Sequence, residues 1–402
     1  MSAAITLRQD ATTISLVGLA HALSHFMQML LVPLFPLLMH EFDLNFSQIG
    51  FLVSTLYTIS SLGQASSGFL VDRLGAWPVL CTSLILFMVA AILAANATSY
   101  GALMGVMVLV GLGNSPFHPV DFTIMNQKVS SARLGYAFSV HGVTGNLGWA
   151  LAPVFLVGIT QMISWRMAYY SAAALVGCVL MVLVWNRRFL QTSVTPAAHA
   201  NVSAVSAHSF FKLPAVWWCF GFFMFSTMTL AVVQSYAISI LQKLHSVSLY
   251  AASATLTAYM LCAALGMVVG GWVAAKFEAK SEHIVARAMA CGAAALLLAA
   301  SGVAGAIGSC VLLASTGFAV GVGGPSRDLM IKKATPAGAT GRVYGLVYSG
   351  MDVGFAIAPF MFGFLMDGGH YASVLVGASA TLMVSVALAL RVGTHSSNKN
   401  AT

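Results

Sequence analysis

Hydrophobic positions along this chain run in long unbroken stretches rather than in alternation. Twelve such stretches, separated by short polar breaks, fall at residues 13–38, 46–69, 77–96, 100–127, 134–160, 165–186, 214–241, 248–275, 284–303, 306–330, 340–366 and 371–391. Each is long enough to cross a bilayer, which takes ~20 apolar residues in a helix. A membrane barrel would show segments of about ten residues alternating in polarity, and runs such as LVGCVLMVLVW do not alternate. Lipid offers no partner to an unpaired backbone group, so the pattern predicts helices. The narrowest break lies between the ninth and tenth stretches, from Gly302 to Gly308. The longest, residues 187–213, is rich in Ala, Ser, Thr and Val with no helical apolar period. It reads as a linker between an N-terminal bundle, 1–186, and a C-terminal bundle, 214–402.

The two halves carry the same punctuation. GLGNSPFHPVD in the fourth stretch matches GVGGPSRD in the tenth, and GNLGWALAP in the fifth matches MDVGFAIAP in the eleventh. Pro116 pairs with Pro325, 209 positions on, while Gly148 pairs with Gly354 and Ala152-Pro153 with Ala358-Pro359, 206 positions on. Tandem halves in so apolar a chain predict two bundles that rock about a shared central site. Pro33, Pro36, Pro116, Pro119, Pro153, Pro325 and Pro359 interrupt the stretches and are candidate hinges, since each removes a helical hydrogen bond. Asn45 to Gln48 has the form of a capping box that opens the second stretch.

Composition sharpens this picture. Hydrophobic residues make up 59% of the 402 and charged residues 7%, too little charge for a soluble surface, so the bilayer is a partner. The net charge of +8 would suit a polyanion, but its distribution argues against nucleic acid. With twelve spans and a cytoplasmic N-terminus, fifteen of the eighteen Lys and Arg fall inside, among them Arg73, Lys128, Arg133, Arg187, Arg188, Lys276, Lys280, Lys332, Lys333 and Arg342. Only Arg166 and Lys243 fall outside, and Arg327 lies within a span. That is the positive-inside rule. We therefore expect a multi-pass protein of a cell membrane, bacterial inner membrane by its character, with both termini cytoplasmic.

All six cysteines lie inside predicted spans without metal-ligand spacing, which predicts free thiols. The first stretch is too long for a cleavable signal and carries His21, His25 and Gln28. There is no HExxH, no P-loop and no G-x-S-x-G, so we expect no enzyme, no cofactor and no direct use of ATP.

The loop after the second stretch reads GFLVDRLGAWPVL. It resembles the signature of the major facilitator superfamily in this loop, G-x-L-x-D-R-x-G-R-K/R. Gly68, Asp72, Arg73 and Gly75 match it, while Ala76 and Trp77 replace the second basic cluster. The resemblance implies a cytoplasmic gate that latches the two halves when the site faces outward. The corresponding loop of the second half, GWVAAKFEAK, keeps Gly271 and Lys276 but has Ala275 for the aspartate. SWRMAYY in the sixth stretch is similar to the family's Trp-Arg segment, through Trp165 and Arg166. The resemblance covers nearly the whole chain, and the FHP segment is similar to the fosmidomycin-resistance-like branch. It implies an all-α integral membrane fold, twelve helices in two pseudo-symmetric six-helix bundles, with helices one, four, seven and ten lining a cavity.

Charged groups within a span cost about 2.5–3.5 kcal/mol each on insertion scales and usually face a cavity. Here they are His21, His25, His118, Asp121, His141, Arg327, Asp328 and Asp352, with Gln28, Gln64, Asn146 and Gln234 as neutral company. His21, His25 and Gln28 share one helical face, as do His118 and Asp121. The repeat places His118 and Arg327 at equivalent positions. Arg327 offers a bidentate fork to a carboxylate, or else snorkels toward the end of its helix. Asp121, Asp328 or Asp352 can carry a coupling proton, and so can His25 or His118. His141 reads as a packing histidine, and Asp352, aligned with Asn146, as a packing or hinge residue. His21 and His25 have the HxxxH spacing of metal ligands, but no third ligand is evident and no metal is expected.

These residues predict a monomeric secondary transporter working by alternating access, moving a small organic anion coupled to protons. The competing readings are a proton-driven efflux pump for drugs or metabolites and a non-transporting receptor, the last disfavoured by the absence of a sizeable soluble domain. The substrate and proton pathway is expected to use His25, Gln28, His118, Asp121, Arg327, Asp328 and Asp352.

Overall fold

The computed structural model describes residues 3–192, 213–277, 281–334 and 340–399. Within them the side chains of 3–6, 65, 131, 135, 275, 332–334, 340–345 and 394–399 are not described. Most of the expected linker, residues 193–212, therefore lies outside the described residues. So does Lys280, and the side chains of Lys332, Lys333 and Arg342 are likewise undescribed.

The described chain is helical throughout, with no strand. In order come α1 (Ala3–Gln28), α2 (Phe35–Phe42), α3 (Phe46–Leu74), α4 (Ala76–Ala95), α5 (Tyr100–Asn114), α6 (Phe117–Lys128), α7 (Leu134–Met162), α8 (Trp165–Trp185), α9 (Pro214–His245), α10 (Leu249–Lys276), α11 (Ser281–Ala300), α12 (Gly305–Ala334), α13 (Thr340–Asp367) and α14 (Tyr371–Lys399). Among the described residues, 11 segments are long and apolar enough to cross a membrane. The twelfth span of the fold is α3, whose 29 residues are long enough but whose middle, SSLGQASSG, is too polar to stand out by hydropathy.

Local chemistry sets the helix ends. Ser99, Ser164 and Ser248 cap α5, α8 and α10 by accepting from Ala102, Met167 and Ala251 N–H, each at 3.2 Å. The capping box forms at α3: Asn45 N–H donates to Gln48 Oε1 and Gln48 N–H to Asn45 Oδ1, both at 2.8 Å. Gly75 turns α3 into α4 at a φ of 82°, which a side chain would resist.

Two expected spans are broken helices. The first passes from α1 to α2 through a one-turn 3-10 helix, Val32–Leu34. The fourth breaks between α5 and α6 at Pro116. Each break carries two prolines three residues apart, Pro33 with Pro36 and Pro116 with Pro119, so two amide donors are lost in a single turn. Single prolines at 153, 325 and 359 leave α7, α12 and α13 continuous.

The chain divides into two compact units, one of residues 1–44 and 55–201, the other of 45–54 and 202–402. Residues 45–54 group with the second because Asp367 accepts from Phe46 N–H (2.5 Å) and Ser47 N–H (3.0 Å) at the α3 terminus. In the first unit α1 packs on α7, and in the second α9 packs on α13. Glycine permits both contacts. A Cβ on Gly148 would collide with the Ala22 carbonyl oxygen, and one on Gly354 would lie 2.5 Å from the Met224 carbonyl oxygen. The sequence repeat thus recurs as the same helix contact in each unit.

Candidate functional site: a histidine cluster and an arginine shelf

Two constellations of polar side chains lie within spans, one in each unit. In the first unit, α1 supplies His21, His25 and Gln28; the start of α6 supplies His118 and Asp121; α7 supplies His141. Asp121 is 1% exposed, and its Oδ2 lies 3.1 Å from His21 Nδ1 and 3.0 Å from His141 Nε2. The His21 and His141 rings stack with centroids 3.5 Å apart, and His118 and His25 sit 5.5 and 4.5 Å from His21. The break before α6 aims His118 and Asp121 at α1, as their shared helical face requires. Gly145 on α7 makes the space: a Cβ there would lie 2.8 Å from His25 Cε1 and 3.1 Å from His21 Nε2.

Gln28, one turn beyond His25, is the centre of a separate network. Its Nε2 donates to Asn114 Oδ1 at 2.8 Å, and its Oε1 accepts from Trp149 Nε1 at 2.9 Å and Tyr57 Oη at 3.4 Å. Asn114 Nδ2 continues to Ser60 Oγ at 2.8 Å. The network ties α1, α3, α5 and α7 together with its amides paired, which suits a fixed strut.

In the second unit Arg327 and Asp328 sit on α12. Arg327 Nε donates to Asp328 Oδ1 at 3.1 Å, and the guanidinium carbon lies 4.7 Å above the Phe223 ring of α9. Tyr348 of α13 packs its ring 4.9 Å from Phe223 and donates to Asp328 Oδ1 at 3.4 Å. Phe223 is fully buried, so the guanidinium is held against the bundle instead of running to the helix end. Among the described residues the Nη groups of Arg327 have no acceptor, and the side chain keeps 27% of its surface accessible, that of Asp328 47%. Asp352, on α13, has a polar or electrostatic partner of its own and is half-buried.

Gly68, Asp72 and Arg73, expected from the resemblance to form a gate, stand at the far end of α3. Asp72 and Arg73 are exposed, and Gly68 has open space where a side chain would be. Beside them is a cleft of about 410 Å³ lined by Gly68, Asp72, Pro119, Phe122, Asn126 and Gln127.

His141, read from the sequence as a packing histidine, is buried in the cluster, paired with Asp121 and stacked on His21. Trp149, Tyr57, Asn114, Phe223 and Tyr348 were not singled out at all. Aromatic and amide residues are common in membrane helices, and only spatial neighbourhood distinguishes these five.

Residues 17–309 and 233–402 match the family model described as Major Facilitator Superfamily. Over 268 residues, 66% of this chain, the sequence is 28% identical to the fosmidomycin resistance protein of Escherichia coli K12, a match spanning 65% of that protein. Over 333 residues, 81% of this chain and 82% of the relative, it is 22% identical to a Mycobacterium tuberculosis protein named "Probable nitrate/nitrite transporter NarK2". Among solved structures, a bacterial homologue of the human lysosomal transporter Spinster, inward-facing and unoccupied, superposes with a TM-score of 0.74 over 96% of both chains at 14% identity, a likeness of fold.

Proposed function

The chain belongs to the major facilitator superfamily, and from that premise we propose that it moves a small organic anion, a carboxylate, by proton-coupled alternating access. The family and the multi-pass fold make it a secondary membrane transporter. The observation that carries the substrate class is Arg327. A guanidinium within a span, stacked on one aromatic face, with its Nη edge unpaired among the described residues, is built for bidentate recognition of a carboxylate. Charged side chains within spans usually face a water-filled cavity, which is where a substrate travels.

The same geometry supports a route to coupling. Asp328 holds the Nε edge of Arg327 while Tyr348 donates to the same carboxylate oxygen. An arriving anion competes with Asp328 for the guanidinium. In this reading Asp328, once displaced, is the group that carries the coupling proton. Anion and proton then ride together, and the loaded site is nearly neutral. His25, His118 and Asp121 remain in the first unit's part of the pathway, Gln28 its strut, and Asp352 a hinge on α13. Gly68, Asp72, Arg73 and Gly75 form the gate at the cytoplasmic side.

A second reading, proton-driven export of a drug or metabolite, is supported by the name of the Escherichia coli relative. Uptake into proteoliposomes, screened over small carboxylates and amphiphilic drugs with and without an imposed pH gradient, separates the two. The anion reading expects gradient-dependent accumulation of a carboxylate. It also expects Asp328→Asn to keep counterflow exchange while losing accumulation. Transport of drugs with no carboxylate moved would establish the second reading in its place.

A further inference from the structure

We propose that the first unit contains a binding site for a divalent transition-metal ion, formed by His21, His118, His141 and Asp121. It goes beyond the anion reading: the substrate contact of that reading, Arg327, belongs to the other unit, while His118 and Asp121 of its pathway here serve as ligands.

One ring nitrogen from each of His21, His118 and His141 lies within 4.8 Å of the other two. The Asp121 carboxylate completes the set, 3.1 Å from His21 and 3.0 Å from His141. A tetrahedral ion with bonds of about 2.0–2.1 Å to imidazole nitrogen and carboxylate oxygen holds its ligand atoms about 3.3 Å from one another. The two Asp–His edges are already near that value, and His118 needs only a shift toward its neighbours.

Unmet bonding capacity is the second observation. His21 Nδ1, His118 Nδ1 and Asp121 Oδ1 are buried atoms with no hydrogen-bond partner among the described residues. Buried polar side-chain atoms are nearly always paired, so three orphans converging from α1 and α6 beside His141 of α7 ask for a further partner. A dication meets all of them at once and faces a single carboxylate, so the charges largely offset. His25 Nδ1 is a fourth orphan, on a ring 4.5 Å from His21 and 4.2 Å from Trp149, placed as a reserve ligand.

Donor chemistry fixes the class of ion. Three imidazoles and one carboxylate suit Zn²⁺, Co²⁺, Ni²⁺ or Cu²⁺, whereas Mg²⁺ and Ca²⁺ demand an all-oxygen shell. Gly145 leaves room for the rings to close, because a Cβ there would press on both His21 and His25.

The test uses full-length protein in detergent, stripped with chelator and titrated with Zn²⁺ by calorimetry and with Co²⁺ by visible absorption. We expect one ion per chain, an intense tetrahedral Co²⁺ band, and no competition from Mg²⁺ or Ca²⁺. His118→Asn, His141→Asn and Asp121→Asn should each weaken binding at least tenfold, while His40→Asn and His283→Asn, at exposed positions, should leave it unchanged. Binding that survives the three cluster variants, or that disappears with the two exposed ones, would place the ion on the surface and overturn the proposal. Should the cluster variants not give monodisperse protein, X-ray absorption of the wild-type Zn²⁺ complex decides. Scattering from three imidazoles supports the site, and scattering from fewer than two, or no bound zinc, refutes it.

Discussion

Around their matched prolines the two units have taken opposite chemical courses. Counting 209 positions on from the first unit, His118 becomes Arg327, Pro119 becomes Asp328 and Asp121 becomes Met330. Counting 206 on, His141 becomes Val347, Gly142 becomes Tyr348 and Gly145 becomes Met351. Where the first unit has a sealed cluster of imidazoles around one carboxylate, the second has apolar side chains and an accessible ion pair one helical step away. The helix contacts beneath are the same, glycine on backbone at Gly148 and at Gly354. Duplication has thus preserved packing and left the polar groups free to diverge. A permanent charge with open access suits a ligand that comes and goes. A neutralisable, buried cluster suits a small ion or a fixed role.

The strongest way to break this contrast is at Arg327. Arg327→Ala should lower carboxylate uptake by at least ~100-fold, about 2.7 kcal/mol of lost binding or transition-state stabilisation. Arg327→Lys should keep part of it, since a lysine supplies charge without the bidentate fork. Initial rates in proteoliposomes measure both. If the two variants transport as the wild type does, the second unit holds no anion site and the contrast fails.

A smaller effect tests the shared part. Gly148→Ala and Gly354→Ala both place a methyl against a backbone carbonyl, which has no rotamer to move, and each should cost about 1–3 kcal/mol of stability. Gly145→Ala meets imidazole rings instead and should cost less stability while weakening Zn²⁺ binding. Thermal unfolding in detergent, run on the three variants together, ranks them. Equal losses at all three would mean that the cluster is as rigid as the backbone contact.

Much of this fold can be read from the chain because lipid imposes it. Span lengths follow from solvation, and the expected spans agree with helix ends to within about five residues, except where paired prolines break them, at the earlier start of α1 (Ala3) and at the later end of α14 (Lys399). α3 shows the limit: its apolar pattern and capping box mark a span, but the polar middle SSLGQASSG weakens the hydropathy signal. The sites were legible in part. His118 with Asp121, and Arg327 with Asp328, stood out because charge in a span is costly. His141 did not, because its partner Asp121 is twenty residues earlier on another helix and a single histidine carries no spacing signal. The three proposed ligands that join His21 come from α6, His118 and Asp121, and from α7, His141, a convergence that needs the break at Pro116 to be known. Phe223 and Tyr348 are invisible for the same reason, since they matter only as the shelf and the second donor to a pair on α12.

The smallest expected effects concern the strut at Gln28, and they sharpen the contrast by asking what in the first unit is structural. Gln28→Leu removes the acceptor of Trp149 Nε1 and the donor to Asn114 Oδ1, so both buried groups lose a hydrogen bond. The loss should be about 1–3 kcal/mol. Tyr57→Phe removes the long 3.4 Å bond to the same amide and should cost less, about 0.5 kcal/mol. Zn²⁺ affinity should hold in Tyr57→Phe, because Gln28 still bonds to Trp149 and Asn114 and so keeps α1 and α7 in register beneath the histidines. A large fall in transport for Tyr57→Phe with stability intact would give the opposite answer. It would mean that the hydroxyl and the amide exchange partners during the cycle, and that the network of the first unit moves with its cargo as the ion pair of the second is proposed to do.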